Sequence, residues 1–257
     1  MSVVTIRELN SIGRFGNQCF LYVFAKAYAK AHGAELQVPD WVGRKLFVNA
    51  TETLITPDNA WLRQTENDGA TNRPLNRYFG KVDIDLRVYA QHQVYLEYYT
   101  RAMAREWLTL KPEWELYSPA QGQKYSAAHY RRGDYVTPEF RDRYCEVSEA
   151  SYKRAFREFH IPSPVLRVSE EMSQKPDNWP DPQLVWLTDF LVLRDAAHLL
   201  RANSSFSWWA ATLGHGKVYA PVVNKLVGLQ DVQFVEGNYP TTAGIFSNQS
   251  DLNLKEE

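Results

Sequence analysis

The feature that most limits what this chain can fold into lies between Val3 and Val38. Val3 to Leu9 alternates in part, as a short strand does, and is followed by Gly13-Arg14-Phe15-Gly16-Asn17-Gln18. Then Phe20, Val23, Phe24, Ala27, Tyr28 and Ala31 recur at i, i+3/i+4 spacing. Such a stripe is one buried helical face, and Gly33 is well placed to end the helix. Glu35 to Val38, stopped by Pro39, reads as a second strand. Strand, glycine turn, helix and strand make a βαβ unit.

The same alternation returns in the second half. Tyr125 to Tyr130 reads as a strand running into an Arg-Arg-Gly-Asp turn, and Ser148 can cap a helix through Tyr152, Ala155, Phe156 and Phe159. Val165 to Val168 and Leu184 to Leu187 read as buried strands, Asp189 to Arg201 as a helix, and Val218 to Ala220 as another strand. A further helix is expected near Ser205. The stretch from about 41 to 90 is rich in Asn, Asp, Thr and Pro and reads as loops and short elements, with an aromatic strand or turn at Gln93 to Tyr99. Strands alternating with helices imply a mostly parallel sheet and an α/β class. Two such halves around an irregular middle predict two βαβ-type lobes, residues 1–120 and 121–257, with a cleft between them.

Composition narrows the partners. The 29 Lys+Arg against 30 Asp+Glu leave no global pull on nucleic acid or an anionic membrane, so any anion site must be a local cluster. Cys19 and Cys145 are the only cysteines and supply neither a disulfide framework nor metal-ligand spacing. No stretch reaches the apolar length of a membrane span and the N-terminus has no signal-like pattern, so a cytoplasmic location is expected.

Three segments could carry chemistry. Gly13 to Gln18 places two glycines between a strand and a helix, where backbone N–H groups can face an anion; a plain tight turn would look the same. At His129-Tyr130-Arg131-Arg132-Gly133-Asp134-Tyr135, adjacent arginines at a strand's carboxyl end can match phosphate oxygens, against the alternative of a surface pair salt-bridged to acids. In Asn203-Ser204-Ser205-Phe206-Ser207-Trp208-Trp209, the hydroxyl residues can cap a helix or bind a phosphate.

Taken together, GRFGNQ (13–18), HYRRGDY (129–135) and NSSFSWWAA (203–211) resemble, in order, the motifs of the fucosyltransferase superfamily, closest to the α-1,2-fucosyltransferases of glycosyltransferase family 11. Val94 to Tyr99 is similar to a mid-chain aromatic segment of that family. The resemblance implies two Rossmann-like lobes in a GT-B arrangement with a nucleotide sugar in the cleft, inversion at the sugar carbon, GDP-fucose as donor, a glycan as acceptor, and no metal or other cofactor. It implies that Arg131 holds the β-phosphate, that Asn17 reaches the phosphate or reacting sugar, and that Asp134 either accepts the acceptor's proton or orients an arginine. Donor contacts are implied for Gly13, Arg14, Phe15, Gly16, His129, Arg132, Asn203, Ser204, Ser205 and Phe206. Where relatives carry Ser/Thr-Asp-Asp, this chain has Ser169-Glu170-Glu171, which assigns Glu170 and Glu171 to the donor end.

Other classes leave other marks. A metal-dependent transferase could use Asp83-Ile84-Asp85, placing two carboxylates on a divalent ion. A glycosidase needs two carboxylates flanking the bond, and Glu170 and Glu171 on a strand would face opposite ways. A transferase using another nucleotide sugar would share the phosphate motifs. A lectin-like glycan binder could use the aromatics but leaves the arginine pair unexplained.

Overall fold

A computed structural model describes residues 2–55, 83–91, 93–119, 124–137, 144–169, 179–223 and 228–238. They form two compact units, one through Pro112 and one from Glu113. Glu170 and Glu171 lie outside the described residues.

The first unit contains β1 (Val3–Thr5), α1 (Phe15–Ala31), β2 (Glu35–Val38), α2 (Val42–Leu46), β3 (Thr53–Leu54), β4 (Ile84–Asp85), α3 (Gln93–Leu96) and α4 (Arg101–Trp107). Its sheet runs β3-β2-β1-β4, all parallel, the order of half a Rossmann fold. The stripe on α1 is only part of its burial: every residue from Gln18 to Ala25 is enclosed. Tyr22 packs on Trp41 at 4.7 Å, and Phe24 meets Tyr95 and Tyr98 at 4.8 and 5.3 Å. The aromatics of α3 and the following turn thus cover the helix; Gln93 to Leu96 is helical, within the aromatic stretch Gln93 to Tyr99 that reads in sequence as a strand or turn. Gly33, at φ +61°, ends α1 as expected, and Ala34 N–H closes back on Ala29 C=O at 2.9 Å.

The second unit opens with α5 (Pro112–Glu115), which begins at the boundary. It continues through β5 (Ser126–His129), a 3-10 turn at Gly133–Val136, β6 (Cys145–Val147), α6 (Glu149–Glu158), β7 (Val165–Val168), a second 3-10 turn at Pro182–Leu184, and α7 (Trp186–Arg194). Then come β8 (His198–Leu200), α8 (Ser205–Leu213), β9 (Lys217–Pro221), β10 (Gly228–Gln230) and β11 (Phe234–Glu236). The main sheet runs β11-β9-β8-β5-β7, parallel except for β11; β10 and β6 pair separately. One face of it carries Ala128, Leu200 and Tyr219 in a core with Tyr130, Tyr152 and Phe234, while α7 packs against β5, β7 and α8.

Two sequence expectations fail here. Leu184 to Leu187 is not a strand but the end of a 3-10 turn and the start of α7. The helix expected to reach Arg201 stops at Arg194, and His198–Leu200 is a central strand. Leu200 falls in helical register with Phe190, Leu193 and Ala197, so periodicity hides the break. The break comes because Ala197 N–H is taken by Tyr125 C=O at 2.8 Å, which starts sheet pairing. The α/β class with parallel sheets in both units is as the alternation predicts.

Candidate functional site

In the second unit the chain leaves β5 through α6 toward β7, and leaves β8 through α8 toward β9 on the other side. β5 and β8 are neighbours, so their carboxyl ends diverge at a switch point, the place where open parallel sheets form a ligand crevice. His129 ends β5 and Tyr130 to Asp134 follow it there, and Arg201 to Phe206 follow β8. Two of the sequence segments therefore meet at one end of one sheet.

The two adjacent arginines have different surroundings. Arg131 Nη2 donates to Asp134 Oδ1 at 2.5 Å, and its guanidinium lies 5.1 Å from the centre of the Tyr135 ring. Tyr135 in turn stacks on Tyr144 at 4.5 Å and donates its O–H to Asn203 C=O at 3.1 Å. Burial pushes the Tyr135 phenol up to about 12, so it stays a donor. The 3-10 turn that supplies Asp134 and Tyr135 to Arg131 is thereby tied to the loop that opens α8. Arg132 turns instead to Glu149 at 3.2 Å and Glu146 at 3.5 Å, where Arg167 also reaches Glu149.

His129 is buried at 4% exposure, with its ring 5.8 Å from Phe206, and Phe206 is enclosed by Phe190 and Trp186. Burial, with the Arg131 and Arg201 charges beside it, pushes the imidazole down to about 3, so it is neutral at physiological pH. Its Nδ1 is buried and has no hydrogen-bond partner among the described residues. Tyr152 O–H donates to His129 C=O at 2.6 Å and lies 3.5 Å from Arg201 C=O, locking the two strand ends at one level.

The start of α8 is capped by Ser204, whose Oγ accepts from Phe206 N–H at 3.3 Å. Ser204, Ser205 and Phe206 are half-buried, and Asn203 is buried with its Oδ1 lacking a partner among the described residues. Helix N–H groups, two hydroxyls and the Arg131 guanidinium give this sheet end donors for an oxyanion.

In the first unit, Gly13 has φ +61° and lies against Asn17, whose amide nitrogen would sit 2.2 Å from an added Cβ. Asn17 Oδ1 accepts from Gln91 Nε2 at 2.8 Å. Arg14 precedes α1 and is exposed, whereas Gly16 and Phe15 are buried, Phe15 at 6.1 Å from Phe47. The acids of Asp83-Ile84-Asp85 bind the protein itself. Asp83 accepts from Val3 N–H at 2.9 Å, and Asp85 accepts from Thr5 O–H at 2.7 Å and Arg7 N–H at 3.0 Å. They pin β4 beside β1. Among the described residues no cluster of His, Cys, Asp and Glu could hold a metal ion.

Sequence reasoning missed Arg201, a fully enclosed guanidinium at the end of β8. Its signal was an arginine directly after Leu199-Leu200, where the chain is otherwise apolar. Tyr135 lay inside a quoted motif without a role.

No protein-family profile and no curated protein sequence matches the chain. Solved structures do. The fucosyltransferase NodZ from Bradyrhizobium superposes with a TM-score of 0.52 at 14% identity, covering 92% of this chain and 99% of that one. NodZ described as an α-1,6-fucosyltransferase and soaked with GDP-fucose gives 0.51 at 15% identity, with 92% and 99% covered. An arginine-to-lysine mutant of Arabidopsis thaliana FUT1 in complex with GDP gives 0.50 at 11% identity, covering 91% and 73%. The chain shares its fold with these fucosyltransferases. No helix among the described residues is long and apolar enough to cross a membrane.

Proposed function

We propose that this chain is an inverting glycosyltransferase that moves L-fucose from GDP-fucose to a hydroxyl of a glycan acceptor, with no required metal. The observation that carries this reading is Arg131, fixed by Asp134 and Tyr135 at the carboxyl end of β5, beside the capped start of α8. Departure of a nucleoside diphosphate concentrates negative charge on the β-phosphate while the sugar gains oxocarbenium character. Donors already aimed at that oxygen stabilise the charge as it develops, without reorganising. In this reading Arg131 takes the β-phosphate, Ser204 and Ser205 add donors, Asp134 aims the arginine, and neutral His129 lines the donor site. By motif, Asn17 and the Gly13 to Gly16 turn are further candidates for donor contacts. The choice of GDP-fucose rests on the motif resemblance and on the nucleotides bound by the fold's solved members; an α-1,2 linkage rests on the motifs alone.

Incubation with GDP-fucose and a glycan array, followed by mass analysis, tests the reading. A gain of one fucose residue on an acceptor supports it. Transfer only from other nucleotide sugars replaces the donor, and glycan binding without transfer from any nucleotide sugar leaves a lectin-like protein instead. Full transfer in EDTA is expected.

A further inference from the structure

Arg201 was not among the anion-binding residues, yet its position singles it out. β5 and β8 are in parallel register with Ala128 opposite Leu200, so the next rung sets His129 beside Arg201. Ala128 and Leu200 face the Tyr152 core, and alternation turns His129 and Arg201 to the other face, where His129 meets Phe206 of α8. Tyr152 O–H touches both backbone carbonyls, which fixes the two residues at one height. The Arg201 charge is felt at His129 together with that of Arg131. That buried imidazole has an Nδ1 with no partner among the described residues.

The neighbouring helix makes this placement unusual. α8 begins four residues after Arg201, and a helix start carries partial positive charge, which disfavours a cation and favours an anion. Arg201 is also enclosed at 0% exposure, where keeping a charge is costly. Arg201, the start of α8 and the His129 imidazole thus line one neighbourhood whose charge and dipole favour an anion.

We propose that Arg201 is a second phosphate-directed cation of the β5–β8 site, acting from beside His129 so that a nucleoside diphosphate binds more tightly than the corresponding monophosphate. The proposal rests on the nucleotide-sugar reading above and adds to it a residue outside the motif arginines.

Calorimetric titration of GDP and GMP against the whole chain, Arg201→Met and Arg201→Lys tests it. Methionine keeps much of the volume without the charge; its GDP affinity is expected to fall about tenfold or more, with GMP weakened far less, and lysine to fall between. A methionine variant that melts cooperatively and binds GDP as the unaltered chain does overturns the proposal. Should that variant fail to fold, the Nε–H resonance of Arg201 in the unaltered chain, assigned through Arg201→Lys, decides: a shift on adding GDP but not GMP supports the role, and an unmoved signal overturns it. An unaltered chain that binds no nucleoside diphosphate overturns the nucleotide reading as well, a result distinct from selective loss in the variant.

Discussion

Arg131 and Arg132 are adjacent, but their environments give them different work. Removing an aimed oxyanion donor typically costs roughly 10²–10³ in rate, so Arg131→Ala should lower kcat by about that factor while circular dichroism stays native. Arg132→Ala loses ion pairs to Glu146 and Glu149 that are partly solvated, and should cost under about 1 kcal/mol in urea unfolding. Equal loss of turnover in both variants would contradict this division. The motif was visible in sequence, but not which arginine faces which acid, because side-chain direction depends on the 3-10 turn at Gly133–Val136. His129 yields a prediction in pH. Its folded value near 3 lies below the ordinary 6.5, so the unfolded chain takes up a proton that the native site refuses. That residue therefore adds no penalty above pH 6.5 and a growing one as pH falls toward 3. Urea unfolding at neutral pH and near pH 4.5 should show the unaltered chain losing roughly 2.5 kcal/mol more stability than His129→Gln.

Among the elements, α8 owes its start to Ser204. Ser204→Ala should cost about 1 kcal/mol of stability by loss of the cap, measured in urea. Nucleotide affinity should fall as well if the same loop binds phosphate. Another local dependence lies in α1, where Lys26 Nζ meets Glu52 Oε1 at 2.5 Å and Tyr22 O–H donates to the same oxygen at 2.8 Å. Glu52 is nearly enclosed, so Lys26→Met strands a buried carboxylate and should destabilise the first unit by about 3 kcal/mol, read from its melt. These elements were unequally legible. The βαβ start, the Ser148 and Ser205 helix starts and β5 carried both period and boundary residues. β8 did not, since its three residues continue the spacing of α7 and only pairing with β5 makes them a strand. α3 was hidden likewise, because its four residues, Gln93 to Leu96, are too few to tell one period from the other.

For the molecule as a whole, the parallel class followed from alternation alone, whereas strand order could not, because which strands become neighbours is decided by packing distant in sequence. That order is what creates the β5–β8 switch point and brings Arg201 beside His129. Ligand at 100 times its dissociation constant should stabilise the fold by about 2.7 kcal/mol, and GDP should do so in preference to UDP, CMP or free sugars in a thermal-shift panel. The sheet order also governs amide exchange. β5 and β8 are interior strands: Tyr130 N–H, just past β5, is held by Val168 C=O of β7, and Arg201 N–H, just past β8, by Tyr219 C=O of β9, while β11 lies at the rim as the one antiparallel strand of that sheet. Deuterium should therefore enter β11 well before the strands that carry the arginines. If the proposed nucleotide site is right, a preparation with a frayed rim should still bind GDP, and loss of that binding would report that the sheet interior had opened.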